Sequence, residues 1–211
     1  MTAGIALAGE SMAAGPGALV NQWMAAGRVF YSGTPAVGTP ETMSAAGTAF
    51  TLTAPSIRYT IPAGALVVPI HAQVSGTRVI TKDDLFAVIV SETDTYTSGG
   101  EACKAARNAV VEGDASQLRS TGVTNLLHSD TAIVEAALVN YRVLKTVKHE
   151  GVVGEVDAPW EPEYNILKGD PMVYIVGPAS FLVFAVQETT AMEALFSLSW
   201  AELDIRDFTN G

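Results

Sequence analysis

Near its end the chain contains an alternation of large and small side chains that is typical of a β-strand. Within residues 194–203 the large apolar positions are two apart, and small residues separate them: Phe196, Leu198 and Trp200 against Ser197, Ser199 and Ala201. Side chains two positions apart share one face of a strand, whereas a helix would distribute the same residues around its axis. This segment predicts a strand with one buried face, and it sets the expectation of a sheet for the rest of the chain.

Short apolar runs of the same kind recur from residue 50 onward and are separated by turn signals. The first alternates at Ile57, Tyr59 and Ile61, and a turn at residues 62–64 leads into an extended run at residues 66–70. The prolines of this unit predict an edge strand or a strand start, because a central strand needs every backbone N–H for its ladder. The other predicted strands lie at residues 79–80, 85–90, 132–147, 172–176, 181–186 and 194–203.

Three segments fit more than one structure. Residues 132–147 carry a helical stripe as well as a strand alternation, and we favour the strand. Residues 101–111 fit a short helix, and the stretch from there to Ser129 has no clear pattern. The segment from Gly151 to Tyr164, counted with the adjoining Glu150, carries five acids and two prolines, which predicts a long exposed loop. A calcium site there is less favoured, because no regular Asp-X-Asp-X-Asp-Gly spacing is present.

Seven or eight short strands, without long helices between them, predict an all-β fold: an antiparallel β-sandwich, in the form of a single jelly roll over residues 50–211. Residues 1–49 are rich in Ala, Gly, Thr, Ser and Pro, and they predict an extended N-terminal arm or lead-in. Large apolar residues within it, Trp23, Phe30 and Tyr31, indicate docking either on the chain's own domain or on a neighbouring subunit. Removal of residues 1–49 is expected to leave a folded domain and to weaken its assembly.

Charge and composition argue against several classes of protein. Lys+Arg 12 against Asp+Glu 22 give a net charge of −10, which repels a phosphate backbone, so we expect no direct nucleic-acid partner. The single cysteine, Cys103, cannot pair within the chain, which favours synthesis in a cytoplasm. The longest apolar runs have six residues, against the roughly 20 that cross a bilayer, so we expect no membrane insertion. Residues 1–27 lack the basic start of a secretion signal.

Motifs with known chemistry are absent from the sequence, and we expect no enzyme, no cofactor and no metal. There is no Gly-X-Ser-X-Gly, no Gly-Lys pair for a phosphate loop and no His-Glu-X-X-His. The three histidines, His71, His128 and His149, are scattered, which favours ordinary surface or core histidines over a metal site of the cupin type. Trp160, beside two prolines, is suited to stack on a sugar or to anchor a protein interface, although a tryptophan folded onto its own domain is as common.

Three stretches resemble jelly-roll virion proteins of tailed bacteriophages: residues 57–69 (Ile-Arg-Tyr-Thr-Ile-Pro-Ala-Gly-Ala-Leu-Val-Val-Pro), residues 96–100 (Tyr-Thr-Ser-Gly-Gly) and the closing part from Gly-Asp-Pro-Met at 169–172 to Ser-Trp-Ala-Glu-Leu at 199–203. The resemblance covers about half of the chain, and each motif in it is a strand or turn signature with little specificity. Such proteins decorate or cement the capsid, often as trimers.

The resemblance implies a virion structural protein on the capsid exterior, made in the host cytoplasm. It would bind the major capsid protein and copies of itself, as a homotrimer, and stabilise the shell through protein–protein contacts. The residues best suited to such contacts are Trp23, Phe30, Tyr31 and Trp160. Two alternatives remain open: a carbohydrate- or receptor-binding sandwich module, and, less favoured, a cupin-like metalloenzyme.

Overall fold

The protein folds into two antiparallel sheets with one short helix. The structure, a computed structural model, describes residues 15–34, 40–42, 55–78, 83–92, 96–98, 101–102, 106–107, 126–128, 132–133, 140–151, 158–187 and 193–204. Within these ranges lie the helix α1 (Pro16–Ala25), a 3₁₀ helix (Ile166–Lys168) and sixteen strands. The strands are β1 (Val29–Gly33), β2 (Glu41–Thr42), β3 (Ile57–Ile61), β4 (Ala65–Arg78), β5 (Asp84–Ser91), β6 (Tyr96–Ser98), β7 (Glu101–Ala102), β8 (Ala106–Arg107), β9 (Leu126–His128), β10 (Ala132–Ile133), β11 (Arg142–His149), β12 (Ala158–Trp160), β13 (Glu163–Asn165), β14 (Ile175–Val176), β15 (Ala179–Gln187) and β16 (Glu193–Asp204).

The strands pair into two main sheets. Sheet 1 has the order β12-β4-β16-β1-β8, with β13 and β14 also paired to β4 and with β2 paired to β16. Sheet 2 has the order β11-β5-β15-β3-β9-β7, and β10 pairs separately with β6. Every one of these pairings is antiparallel. The predicted all-β sandwich is therefore confirmed, while its jelly-roll connectivity stays a prediction.

The core lies between the two sheets, and Trp200 is at its centre. This side chain of β16 is 1% exposed, and its ring centroid lies 5.0 Å from that of Tyr59 in sheet 2 and 6.0 Å from that of Phe30 in its own sheet. Aromatic pairs at such distances add to the stabilisation that buried area provides. The alternation at residues 194–203 thus gives a strand with its aromatic face inward, as predicted.

A second, smaller apolar cluster lies on the other face of sheet 2. Its members are Ala87, Ile89, Leu182 and Phe184, each at most 4% exposed. Leu182 pairs with Ile89 in the ladder of β15 and β5, one position away from the core-facing pair Phe181 and Val90. Because successive side chains of a strand point to opposite faces, this sheet is apolar on both of its faces. The strands predicted at residues 85–90 and 181–186 are confirmed as β5 and β15.

The predicted edge position of the proline-containing strand is wrong. β4 pairs with β16 on one side and, on the other, with β14, β13 and β12 in succession. Pro69 is tolerated because the registers of β14 and β13 stop at Val67 and His71, and because the ladder with β16 shifts at this point between Ser199 and Trp200. A bulge is the other place in a sheet where a missing N–H costs little.

Part of the predicted N-terminal arm belongs to the sandwich itself. The helix α1 starts with Pro16 at its first turn, and Leu19 and Val20 on it are buried. β1 lies in sheet 1 between β16 and β8, with Val29 and Phe30 buried in the core. Docking on the chain's own domain is thus the alternative that holds for residues 16–33, and the arm prediction is wrong there. Residues 1–14, 35–39 and 43–54 lie outside the described residues.

Other predicted elements change more locally. The exposed loop predicted at residues 151–164 is wrong from residue 158 onward, because β12 and β13 pair with β4 there and Trp160 and Pro162 are buried. The strand predicted at residues 172–176 is reduced to β14. Residues 101–102 and 106–107 form strands instead of a helix. Strand is confirmed at residues 142–147, and the strand predicted at residues 79–80 lies outside the described residues.

Gly177 brings two turns together at one end of the sandwich. A Cβ atom at this position would lie 2.0 Å from the carbonyl oxygen of Pro62, so only glycine fits. The backbone N–H of Gly177 also donates to the carbonyl oxygen of Ala65 at 3.0 Å. This close approach holds β14 beside the start of β4.

Among the residues that the structure describes, none of the helices has the length and apolar character to span a bilayer.

Candidate protein-interaction surface

A groove with a volume of about 340 Å³ lies between the edge of sheet 2 and β14 of sheet 1. We call it the edge groove. Its lining residues are 90–92, Asn140, Arg142, Leu144, 173–176 and Ala179. This volume is at the lower end of the range for small-molecule and side-chain pockets. The edge groove is therefore large enough to receive a single side chain or a small ring.

The start of β11 forms one wall of the edge groove through two local irregularities. Asn140 adopts φ 49°, a left-handed conformation that Asn tolerates better than most residues. Two positions into β11, the register with β5 shifts between Val143 and Lys145, which inserts Leu144 as an extra residue. Leu144 is 7% exposed and belongs to the core, so the bulge turns an apolar side chain to the base of the groove.

The rim of the groove is polar on one side. The side-chain amide of Asn140 donates to Glu92 Oε2 at 2.8 Å, which holds this carboxylate at the end of β5. Arg142 is exposed, and within the described part of the chain it makes no ion pair. Tyr174 stands on the opposite wall, and burial raises the pKa of its phenol, so the ring stays neutral at physiological pH.

Exposed apolar side chains are concentrated at this edge. In the described residues six large hydrophobic side chains are exposed: Tyr31, Tyr141, Val143, Leu167, Tyr174 and Val176. Two of them, Tyr174 and Val176, line the edge groove, and Tyr141 and Val143 flank its residue Arg142 in the sequence. Val143 pairs with Ile89, whose side chain lies on the other face of sheet 2, so Tyr174 and Val176 are the two exposed apolar side chains that the groove itself presents.

β11 also leaves its backbone open along this edge. It pairs with β5, and in the part of the chain that the structure describes no strand pairs with its other side. An edge strand directs the N–H and C=O of every second residue away from the sheet, where another strand can pair with them. Lysines often block such pairing, but both lysines of β11 are held by acids within the chain. Lys145 Nζ lies 2.6 Å from Asp170 Oδ1, and Lys148 Nζ lies 3.2 Å from Asp83 Oδ2.

The far end of β11 is fixed by two successive acids at the start of β5, Asp83 and Asp84. Asp84, which is fully buried, has its Oδ1 2.9 Å from His149 Nδ1, and these two residues are paired in the ladder of β5 and β11. Asp83 accepts the backbone N–H of Gly151 at 2.8 Å. That hydrogen bond, with Lys148, lowers the pKa of Asp83. These contacts fix the end of the second half of β11, whose register with β5 is unbroken from Lys145 to His149.

The residues proposed from the sequence for protein contacts are mostly buried. Trp160 is 3% exposed and Phe30 is 4% exposed, so neither is a surface anchor in this fold. For Trp160, folding onto its own domain is the alternative that the structure shows. Trp23 is half-buried against the core. Only Tyr31 is exposed, at 41%, and it lies on β1, away from β11 and the edge groove.

The three histidines lie on three different strands. His71 is on β4, His128 on β9 and His149 on β11. His71 Nε2 lies 3.5 Å from Glu163 Oε2, but burial outweighs this carboxylate and lowers the pKa of His71. Within the described ranges, no three His, Cys, Asp or Glu side chains stand close enough together to hold a metal ion.

Sequence reasoning missed the residues of the edge groove. Arg142, Tyr174 and Val176 belong to strands or loops that are far apart in the chain, so no local motif marks them. The one available signal was the charge of β11, where Arg142, Lys145 and Lys148 interrupt an apolar alternation. Charges at this spacing are typical of an edge strand. Comparisons of the chain with protein-family models, with curated protein sequences and with solved structures find no match.

Proposed function

We propose that this chain is a structural subunit of a tailed-phage virion, a decoration or cement protein on the capsid exterior that acts through protein–protein contacts. The observation that supports the proposal is the strand β11, open on one side within the described residues, next to a groove with two exposed apolar side chains, Tyr174 and Val176. A surface of this kind suits attachment to another folded protein. The major capsid protein and further copies of this chain, as a trimer, are its proposed partners, and the jelly-roll connectivity is part of the same proposal.

Symmetry makes shallow contacts sufficient for such a role. A shell presents the same site many times, so a subunit with several contact points gains affinity by multivalency without a deep pocket. The net charge of −10 favours a position on the outside of the shell, away from packaged DNA.

Addition of the purified chain to particles that lack it tests this proposal. We expect saturable co-sedimentation with the particles and a higher temperature of genome release, because contacts between neighbouring shell subunits stabilise the assembled state. Mass spectrometry of native particles should find the chain in a fixed ratio to the shell protein. Absence of the chain from native particles, together with no binding on addition, would contradict the virion role.

A carbohydrate-binding module is the second candidate, and one observation favours it. The edge groove places the exposed ring of Tyr174 near Asn140, Arg142 and Glu92. An aromatic ring combined with planar polar side chains is a common way to bind a sugar. Binding of glycans to the chain on an array, lost on Tyr174→Ser, would favour this candidate over a purely structural subunit.

A further inference from the structure

We infer that the open edge of β11 and the edge groove together bind an extended acidic segment of a different polypeptide. The segment adds a strand to sheet 2 and places one large apolar side chain in the groove. This inference rests on the proposed function in one respect, that the chain acts by binding another protein. It adds which surface binds and what chemistry the partner has.

The second half of β11 supplies the backbone for pairing. From Lys145 to His149 its register with β5 is unbroken, and the contacts of Asp83 and Asp84 fix this half at its end. Thr146 is exposed in the middle of it. Strand addition needs a straight run whose outward N–H and C=O groups are free of neighbours, and main-chain hydrogen bonds then supply the affinity.

The lysines of β11 do not guard this edge. A free lysine on an edge strand prevents pairing because its charge would be buried by the incoming strand. Lys145 is only 32% exposed and its Nζ is held by Asp170, which lies after the 3₁₀ helix. Lys148 is held by Asp83. An incoming strand therefore meets neutralised ion pairs along this half of β11.

The edge groove supplies a pocket for one side chain. Its base is formed by the buried Leu144, Ile175 and Ala179, and its outer wall by Tyr174 and Val176, which are 44% and 50% exposed. A segment paired with residues 145–149 that continues toward the start of β11 would next meet Leu144 and Arg142, which line this groove. In strand addition, such pockets for alternate side chains provide the specificity.

Charge identifies the partner as acidic. Glu92 is engaged by Asn140, which leaves Arg142 as the cation of the rim that has no acid within the described residues. An acid beside the apolar anchor of the partner would complete this pair. A guanidinium also suits a carboxylate geometrically, because it can donate two parallel hydrogen bonds.

A second copy of this chain is disfavoured as the occupant by the same charges. The eight residues of β11 contain no acid, so a second copy paired through β11 has none in that strand to set beside Arg142. The whole chain, at −10, adds a general repulsion between copies. The occupant is therefore an acidic strand of another polypeptide.

Short labelled peptides test the inference on the full-length protein. The probes are fluorescein-labelled peptides with alternating apolar and polar residues around one Phe, flanked either by Asp or by Lys. We expect the Asp peptide to bind at least about tenfold more tightly than the Lys peptide, with the preference reversed by Arg142→Glu. Amide NMR shifts on binding should be largest at residues 142–149.

N-methylation of the peptide tests strand pairing without altering the protein. Methyl groups on one alternate set of peptide N–H groups should abolish binding, and methyl groups on the other set should leave it, because only one set faces β11. Equal effects of the two sets would contradict strand addition, because pairing is directional.

Two tyrosines of similar exposure provide a matched control. Tyr174→Ser removes a wall of the edge groove and should weaken binding of the Asp peptide by about tenfold. Tyr31→Ser, on β1, should leave that binding unchanged. A dependence on Tyr31 and not on Tyr174 would overturn the inference. So would binding of glycans at the groove with no peptide binding, or self-association of the chain through β11.

Failure of this inference can be told apart from failure of the virion role. If the Arg142→Glu and Tyr174→Ser variants still co-sediment with particles and no peptide binds, the virion role stands. The chain then contacts the shell through a surface other than β11 and the edge groove. If the Asp peptide binds as expected but the chain never associates with particles, the edge surface stands and the virion role fails.

Discussion

Trp200 shows how one side chain links the two sheets of the sandwich. Its indole N–H donates to Glu202 Oε1 at 3.0 Å, and its ring contacts Tyr59 of the opposite sheet. Burial, and next to it the charge of Glu202, raises the pKa of Tyr59 well above its usual value. The phenol is thus neutral at physiological pH. A carboxylate so close to the core needs hydrogen-bond donors, and this indole, two residues away on the same strand, supplies one.

The lowered pKa of His71 predicts that the protein loses stability on mild acidification. Burial lowers its pKa below the ordinary value of 6.5, so the unfolded chain binds the proton more readily than the folded one. The free energy of unfolding should therefore fall as the pH drops from about 7 to about 5, the window below the unfolded pKa. Urea unfolding of the protein and of His71→Gln at several pH values measures this slope, which should be smaller in the variant.

Two carboxylates, Glu163 near His71 and Asp83 near Lys148, change the stability with the opposite sign and at lower pH. Lys168 lowers the pKa of Glu163, and the backbone N–H of Gly151 lowers that of Asp83, so their contribution is present at neutral pH and is lost only as the pH falls below about 4. They do not contribute to a slope between pH 7 and 5. An equal slope in the protein and in His71→Gln would contradict the assignment to His71.

At the scale of elements, α1 and β1 complete sheet 1 and one side of the core. Phe30 on β1 pairs with Trp200 in the register and stacks on it. Val29 pairs with Ala201 one position on and is buried like Phe30, and α1 contacts β1. Removal of β1 would therefore expose apolar surface on its neighbour β16.

Truncation of the N-terminus should therefore unfold the domain. Each buried apolar side chain that is lost costs roughly 1.5–3 kcal/mol, and the free energy of unfolding of a domain is only about 5–15 kcal/mol. A chain starting after Thr34 loses α1 and β1 together. Circular dichroism and thermal unfolding should show no cooperative transition for it. The comparison chain starts at Gly15 and keeps both elements. Equal melting of the two chains would show that β1 is dispensable.

At the scale of the whole molecule, the chain is acidic overall but contains one basic strand, β11. The net charge is −10, yet the eight residues of β11 contain Arg142, Lys145 and Lys148 and only neutral residues besides His149. Copies of the chain repel one another at long range, while the edge of sheet 2 attracts acidic partners. This asymmetry sets which contacts form at low salt and which form at high salt.

Salt should affect the proposed trimer and the proposed edge contact in opposite directions. Raising the ionic strength from about 0.02 M to about 0.5 M screens the repulsion between copies and should increase the trimer fraction in sedimentation experiments. The same change should weaken binding of the Asp peptide, because salt screens the attraction between its Asp residues and Arg142. A trimer that dissociates on addition of salt would show instead that ion pairs between copies hold it together.

Local pattern predicted β5 and β15 from continuous apolar runs and β16 from the alternation of large and small side chains. For β11 the pattern also fitted a helix, and strand was the favoured alternative. The all-β class and the antiparallel sandwich followed from these strands. Local pattern also placed the turn at residues 62–64, where Gly64 has a φ of 82°.

Only the tertiary structure decided the short strands and the surface between the sheets. β12, β13 and β14 have two or three residues each, too few for a period, and they are strands only because β4 offers them a long open side. The same pairing buries Trp160, which the sequence alone left between surface and core. The edge groove joins residues 90–92 to Arg142 and Tyr174 across the ends of four separate segments. Contacts of that kind depend on how the sheets stack, and neither propensity nor spacing encodes them locally.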